Sequence, residues 1–305
     1  MARFFDIVIH LLVLVLLPPL VLGIVNKTKA WFGGRVGPPL TQVYSDVFKL
    51  MRKDLTLSRT TTWVFLMGPA VSLTTVLLAG LLIPFGMHAA PVSFTGDVIL
   101  AAYLLALGRF FTASAALDTG SSFEGMGAAR EVTFSSFAEP ALFLGFAVLA
   151  RLTESLSLSH MLAAPTSTGS VASIGIIALL VVAWFAVLLS ENSRIPVDDP
   201  NTHLELTMIH EVMVLDHSGP AFGMIVYSAA VKLFVMSVLV VDLIVPKTGL
   251  GSPFDWLVFL VAMAAIGIAI GIVESSIARL RMVTVPKLLV SACLLAAFGA
   301  SLLLR

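Results

Sequence analysis

Residues 171–190 read VASIGIIALLVVAWFAVLLS, twenty residues in succession without a charged side chain. A helix of that length rises about 30 Å, which matches the hydrocarbon core of a lipid bilayer. Seven further apolar runs of similar length occur at 4–25, 63–85, 98–117, 134–150, 225–245, 254–273 and 288–304. The sequence therefore predicts an all-α, polytopic membrane protein of about eight transmembrane helices, with residues 1–305 forming a single transmembrane domain.

The composition agrees with this fold class. Hydrophobic residues make up 58% of the chain and charged residues 12%, whereas soluble domains carry about 25% charge. The formal net charge is zero, so no overall field would attract nucleic acid. Cys293 is the single cysteine, which excludes a disulfide framework and any four-cysteine cluster within the chain. We expect no cofactor and no metal site in this chain.

The first apolar run is expected to stay in the mature protein. It begins with Arg3, Asp6 and His10 and lacks a small-residue cleavage site, which favours a retained span over a signal peptide. Pro18 and Pro19 lie within the run and are expected to kink the helix or end it early.

The charges are distributed unequally between the two sides of the predicted membrane domain. Twelve of the 18 Lys and Arg residues fall in the loops after spans one, three, five and seven, and four fall on the opposite side. The positive-inside rule then places these loops in the cytoplasm and both termini on the outer side. Most acidic residues share the same loops, so the chemistry is expected on the cytoplasmic side.

The first cytoplasmic loop contains a rigid Gly- and Pro-rich turn followed by an amphipathic segment. Arg35, Gly37 and Pro38 lie in the turn, and residues 40–54 place apolar side chains at helical spacing opposite polar ones such as Asp46. This pattern predicts a helix lying at the membrane interface. Two interpretations remain open, a membrane-surface anchor and a docking surface for a soluble partner.

The second cytoplasmic loop leads into the fourth span. Small residues between Asp118 and Glu131 predict an ordered loop that feeds a helix start, with Glu131 near the positive end of that helix. The following span contains Glu139, which we expect to be buried. An ionisable residue within a span costs about 2.5–3.5 kcal/mol on insertion scales and usually faces a bundle interior or a water-filled cavity. Glu139 is therefore the strongest single candidate for function.

Three further ionisable residues lie within predicted spans. Arg109 is expected to be an ion-paired strut, because a guanidinium hardly releases its proton. Lys232 is expected to be either a strut or a proton relay, since a buried amine can lower its pKa. His10 is a weaker candidate for the same polar site.

The densest polar segment covers residues 190–211. Pro196 and Pro200 hold its first part extended, and a helix is predicted to begin near His203. His210-Glu211 lacks the second histidine of the zincin spacing, which disfavours a metal site. A series of carboxylates and imidazoles suits proton transfer, although a solvated acidic loop is the alternative.

Three segments together resemble the membrane subunit shared by respiratory complex I, where it is called subunit 1, and group 4 membrane-bound nickel–iron hydrogenases of the formate hydrogenlyase and energy-converting type. The first is Arg35-x-Gly37-Pro38 with Asp46 downstream, and the second runs from Asp118-Thr119-Gly120 through Arg130-Glu131 to Glu139-Pro140. The third is Glu191-x-x-Arg194-x-Pro196-x-Asp198 with Glu205. The hydrogenase branch fits better, because Gly37-Pro38 leads directly to Gln42 and because Asn201 and His203 follow Asp198.

The resemblance implies a redox-inactive membrane subunit of an energy-converting hydrogenase complex. Such a subunit would anchor the soluble hydrogenase arm in the cell (inner) membrane and couple its redox reaction to proton or sodium translocation through a buried acidic path. The implied partners are the soluble large and small hydrogenase subunits, iron–sulfur proteins and antiporter-like membrane subunits. The nickel–iron centre and the iron–sulfur clusters are expected in those partners.

The resemblance and the chemistry together assign candidate residues. The predicted ion path consists of Glu139, Glu191, Asp198 and Glu205, with Glu211, Asp216 and Lys232 added on chemical grounds. The predicted docking surface and funnel consist of Arg35, Gly37, Pro38, Asp46, Asp118, Arg130, Glu131 and Arg194. A quinone-site subunit of a complex I-type enzyme and a passive membrane anchor remain alternatives. A stand-alone transporter is disfavoured, because no internal repeat is evident.

Overall fold

The computed structural model describes residues 2–163, 171–199, 208–245 and 252–303, and this part of the chain contains eleven α-helices and no β-sheet. The helices are α1 (Ala2–Phe32), α2 (Gln42–Met51), α3 (Trp63–Leu82), α4 (Asp97–Asp118), α5 (Ser122–Thr153), α6 (Leu158–Ala163), α7 (Val171–Glu191), α8 (His210–Met213), α9 (Gly219–Ile244), α10 (Ser252–Ser276) and α11 (Val285–Leu303). A 3₁₀ turn, Met282–Thr284, precedes α11.

Eight of these helices are long and apolar enough to cross a membrane: α1, α3, α4, α5, α7, α9, α10 and α11. Each covers most of one predicted apolar run, so the predicted fold class is confirmed. Helix α9 is the most deeply buried of the eight and packs against α1, α3, α7 and α10. Close packing elsewhere depends on small residues, since a Cβ atom at Gly145 of α5 would collide with the indole ring of Trp184 in α7. The chain is thus a multi-pass membrane protein built around α9.

Helix α1 continues through Pro18 and Pro19 to Phe32, so the proline pair does not end it early. A proline at position 19 cannot donate to the carbonyl of Val15 four residues before it. The hydroxyl of Tyr227 in α9 donates to that carbonyl at 2.8 Å. The hydroxyl of Tyr44 in α2 donates to the next carbonyl, that of Leu16. Tyr227 therefore supplies a donor to the carbonyl that Pro19 leaves without an intrahelical partner.

The predicted amphipathic helix is present as α2, and it packs against α1 and α9. Another local prediction was wrong. Helix α5 begins at Ser122, so Glu131 lies in the third turn and not at the helix start, because the small residues before it are helical. The predicted start of a helix near His203 lies outside the described residues, which omit 200–207. In the part that is described, the helix after this segment is α8, His210–Met213.

Candidate functional site

Four ionisable side chains from four different helices meet inside the bundle. Nη1 of Arg109 in α4 donates to Oε1 of Glu139 in α5 at 2.5 Å, and Nη2 donates to Oε2 of Glu191 in α7 at 2.8 Å. Nζ of Lys232 in α9 donates to the backbone carbonyl of Glu191 at 2.6 Å and lies 3.1 Å from its Oε2. The guanidinium of Arg109 thus bridges two carboxylates, one of which it shares with Lys232. We call these four residues the central cluster.

The four side chains differ in their exposure. The side chain of Glu191 is 7% exposed, that of Arg109 12% and that of Lys232 23%. The side chain of Glu139 is 40% exposed in the isolated chain, so its predicted burial was wrong. Glu139 lies near the middle of the 32-residue helix α5, on the side that meets α4. Its carboxylate therefore lies at membrane depth on the lateral surface of this chain.

Two cavities adjoin the central cluster. One, of about 80 Å³, is lined by Arg109, Glu131, Glu191, His210 and Lys232 together with Ser and Thr side chains. A polar cavity of this size holds a few water molecules. The other, of about 270 Å³, is lined by Glu139, Tyr103 and mostly apolar side chains. Arg109 and Glu191 line both cavities, so this ion pair separates them.

Glu131 lies inside the first cavity. The sequence placed it with the docking and funnel residues, and in the structure it is 9% exposed and lines an internal cavity. Its carboxylate is close enough to interact electrostatically with Lys232, Glu191, Arg109 and Asp198. Glu131 therefore joins the central cluster to the loop that carries Asp198.

The loop after α7 contains Asp198, which is buried and interacts electrostatically with Glu131. Oδ2 of Asp198 accepts from the backbone N–H of Ile209 at 2.9 Å, and Oδ1 lies 2.7 Å from Nη2 of Arg279. Burial raises the pKa of Asp198 above its usual range, against the opposing effects of the Ile209 N–H and Arg279. This carboxylate can therefore gain a proton more readily than an exposed aspartate.

His210 lines the first cavity close to the same loop. Burial lowers the pKa of His210 to about 4, and the positive charges of Lys232 and Arg194 act in the same direction. The imidazole is therefore neutral at pH 7 and retains a nitrogen lone pair that can accept a proton.

A second group of ion pairs, centred on Glu274, connects the loop after α7 to α1 and α10. Its role was not predicted from the sequence. Oε2 of Glu274 in α10 lies 2.7 Å from Nζ of Lys29 in α1, and Oε1 accepts from Nη1 of Arg194 at 3.4 Å. The Glu274 side chain has no exposed surface. One sequence signal could have identified it: Glu274 is an acid in the last turn of a span whose residues 256–273 carry no charge.

The predicted docking residues separate into exposed and internal ones. Arg35 is exposed in the turn after α1, and Gly37 has a φ of +68°, with the space for a Cβ atom blocked by the side chain of Ala30. Pro38 is also exposed, and Asp46 is half-buried and accepts from Gln42 at 2.8 Å. These residues form one surface around the turn and α2.

Asp118 and Arg130 bind within the chain. Asp118 accepts from the backbone N–H of Thr62 at 2.6 Å and from that of Phe65 at 3.3 Å, so it caps the start of α3. Nη1 of Arg130 donates to the carbonyl of Met208 at 2.8 Å. Both therefore position loops of this chain on the predicted cytoplasmic side.

The structure does not bring every predicted path residue to the central cluster. Asp216 is exposed, and its backbone N–H donates to Glu124 at 3.1 Å. Glu211 is half-buried and lines neither cavity, and Glu205 lies outside the described residues. His10 is buried at the other end of α1, where Nε2 lies 3.0 Å from the carbonyl of Gly80. The ranges that the structure describes contain no group of three or more His, Cys, Asp or Glu placed to hold a metal ion.

Known proteins resemble this chain over most of its length. It matches the family described as NADH dehydrogenase over residues 5–304. Formate hydrogenlyase subunit 4 of Escherichia coli (strain K12) is 30% identical over 286 residues, which cover 92% of this chain and 92% of that protein. Hydrogenase-4 component C of the same organism is 32% identical, covering 77% of this chain and 73% of that protein.

More distant similarities extend to quinone-linked and archaeal complexes. An NADH-quinone oxidoreductase subunit of Burkholderia vietnamiensis (strain G4 / LMG 22486) is 26% identical, covering 74% of this chain and 65% of that protein. A chain of the archaeal membrane-bound sulfane sulfur reductase has the same fold, with a TM-score of 0.85 at 21% identity over 99% of this chain and 100% of that chain. These similarities confirm the resemblance drawn from the three sequence segments.

Proposed function

Because this chain belongs to the NADH dehydrogenase family of membrane subunits, we propose that it is the membrane subunit of an energy-converting hydrogenase complex. It anchors the soluble nickel–iron hydrogenase arm and couples the redox reaction of that arm to the translocation of protons or sodium ions. It lies in the inner membrane, with both termini on the outer side. The partners are the large and small hydrogenase subunits, iron–sulfur proteins and antiporter-like membrane subunits, and the metal centres belong to those partners.

One observation carries this proposal: titratable groups form a series from the loop after α7 to the lateral surface of α5. The series begins with Asp198 and His210, continues through Glu131 in the first cavity and reaches the central cluster. It ends at Glu139, whose carboxylate is 40% exposed in the second cavity. Ionisable groups at membrane depth usually mark ion pathways.

The residues of this series divide into proton carriers and residues whose charge stays fixed. Carboxylates and imidazoles can take up and release protons, whereas a guanidinium hardly does, so Asp198, His210 and Glu131 act as proton carriers. Arg109 retains its proton and serves as a fixed clamp between Glu139 and Glu191. Lys232 holds the other side of Glu191 at 3.1 Å, as a strut whose amine can also relay a proton.

The proposed coupling between the redox reaction and ion translocation depends on the loop that contains Asp198. A redox event in a docked subunit changes the charge near this loop, and a nearby charge shifts the pKa of a carboxylate. Protons then redistribute through Glu131 and Glu191 toward Glu139. An antiporter-like subunit placed against α5 would receive the change in charge at Glu139.

The variant Glu139→Gln tests this function. In the purified complex, hydrogenase activity with an artificial electron acceptor in detergent is expected to stay near wild type. Ion translocation by proteoliposomes that contain the complex is expected to be lost. Glu154→Gln, an exposed carboxylate that ends the same helix on the other side, provides the matched control and retains both activities. Equal loss of both activities in Glu139→Gln would contradict a specific coupling role, and intact translocation would support a passive anchor.

The similarity to the NADH-quinone oxidoreductase of Burkholderia vietnamiensis favours one alternative, a quinone-site subunit of a complex I-type enzyme. Metal analysis and activity assays of the natively purified complex separate the two. Nickel together with hydrogen evolution supports the hydrogenase assignment. Inhibitor-sensitive quinone reduction without nickel would replace it with the quinone assignment.

A further inference from the structure

A groove of about 480 Å³ lies between α1, α2 and α9, away from the central cluster. Its walls are formed by Val47, Phe48 and Met51 of α2, Pro19 of α1 and Tyr227 of α9. Phe48 is 56% exposed and Met51 42% exposed in the isolated chain. The groove is therefore an open apolar surface and not part of the packed core.

The position of α2 along α1 shows which part of the bilayer the groove faces. Leu40, just before α2, contacts Gly23 of α1 so closely that a Cβ atom there would collide with the Leu40 carbonyl oxygen. The rise from Phe4, where the span begins, to Gly23 is about 29 Å, close to the thickness of the hydrocarbon core. Helix α2 thus lies at one border of the core, and the groove opens toward the acyl chains of that leaflet.

The polar atoms of the groove wall are already engaged. The hydroxyl of Tyr44 donates to the carbonyl of Leu16, and that of Tyr227 donates to the carbonyl of Val15. The tyrosine rings therefore line the groove while their hydroxyls point into α1. An apolar chain fits such a surface better than a polar ligand does.

An arginine side chain lies at the mouth of the groove. The guanidinium carbon of Arg52 lies 3.9 Å from the ring centroid of Phe48, which itself lines the groove. Lys49 and Lys53 flank Arg52 in the sequence and are exposed. Basic residues at a membrane border attract anionic headgroups.

We propose that this groove is a binding site for one anionic phospholipid, with an acyl chain between α1, α2 and α9 and the phosphate on Arg52. The apolar walls account for the chain, and the arginine at the mouth accounts for the negative headgroup. This site is independent of the proposed ion path.

Photolabelling of the full chain with its native partners tests the proposal. The complex is reconstituted in phosphatidylcholine nanodiscs that contain a trace of phosphatidylglycerol with a diazirine on one acyl chain. We expect labelled peptides from α2 and from the Tyr227 region of α9. Arg52→Gln is expected to lower this labelling about fivefold, the effect of one cation near an anionic surface. Arg59→Gln, which changes a basic residue of the same loop outside the groove, leaves labelling unchanged.

A second variant separates the apolar from the electrostatic contribution. Ser45→Trp places a large side chain in the groove and is expected to reduce labelling while Arg52 is retained. Equal labelling by a phosphatidylcholine probe, together with no effect of Arg52→Gln, would overturn the proposal in favour of ordinary annular lipid. Displacement of the label by a soluble quinone analogue, but not by unlabelled phosphatidylglycerol, would also overturn it. None of these readouts depends on ion translocation, so the two proposals fail separately.

Discussion

Replacing Arg109 by glutamine is expected to destabilise the protein strongly. The guanidinium holds Glu139 at 2.5 Å and Glu191 at 2.8 Å, and Arg109 and Glu191 are 12% and 7% exposed. Removing one partner of a buried ion pair costs about 3–5 kcal/mol, because the remaining charge stays buried without compensation. Lys232 still lies 3.1 Å from Glu191, and Glu139 is 40% exposed. We therefore expect the lower end of this range, a loss of about 3 kcal/mol.

Two further variants test the cause of that loss. Arg109→Lys keeps the charge but offers one nitrogen in place of two, so it can pair with only one of the two carboxylates and is expected to be intermediate. The double variant Arg109→Gln, Glu191→Gln removes the uncompensated charge together with its partner. It is expected to be more stable than Arg109→Gln alone. If the losses of the two single variants simply added, the double variant would instead be less stable.

Thermal unfolding of the purified complex, followed by intrinsic fluorescence, measures these differences. A loss of about 3 kcal/mol corresponds to a fall in Tm of roughly 6–12 °C. A Tm for Arg109→Gln within about 2 °C of wild type would show that the bridge contributes little to stability. A double variant that is less stable than Arg109→Gln would refute the argument from uncompensated charge.

Three further predictions concern other parts of the fold. Burial lowers the pKa of His210 from 6.5 to about 4, so between these pH values the unfolded chain binds a proton that the folded chain does not. Stability should therefore fall as the pH drops through this window, and thermal melts of His210→Asn should show a shallower fall. Gly145→Val is expected to lower Tm, because its Cβ atom would collide with Trp184, at a cost of about 1–3 kcal/mol. Tyr227→Phe removes the donor to the Val15 carbonyl and should cost about 1 kcal/mol in chemical unfolding, whereas Tyr103→Phe, an exposed tyrosine, should not.

The eight spans could be predicted because a bilayer demands an uninterrupted apolar run from each of them. The same rule identified Arg109 and Glu139, since a charge inside such a run is costly. The pairing of these two residues could not be predicted, because they are 30 positions apart on separate helices. The prediction that Arg109 acts as an ion-paired strut agrees with its two carboxylate partners.

Predictions for the loops were less successful. The contacts of a loop residue depend on which helix ends lie side by side, and the sequence does not reveal that arrangement. Asp118 was placed with the docking and funnel residues, and its role as a cap of α3 was not predicted, because it depends on the ends of α3 and α4 lying side by side. Glu131 was expected at a helix start, and the earlier start at Ser122 places it inside the bundle. Glu274 was overlooked because its partners, Lys29 and Arg194, come from distant parts of the chain.

The position of Arg109 between the two cavities has a consequence for the resting complex. Arg109 retains its proton, and its ion pairs with Glu139 and Glu191 hold the guanidinium where the two cavities adjoin. Under the proposed function, this paired guanidinium would hinder the passage of ions from one cavity to the other while the complex is idle. In that proposal, passage depends on weakening the pairs that hold Arg109 to Glu139 and Glu191. The proposed function thus gives the same ion pairs two roles: they connect α4 to α5 and α7, and they hinder the passage of ions when the complex is at rest.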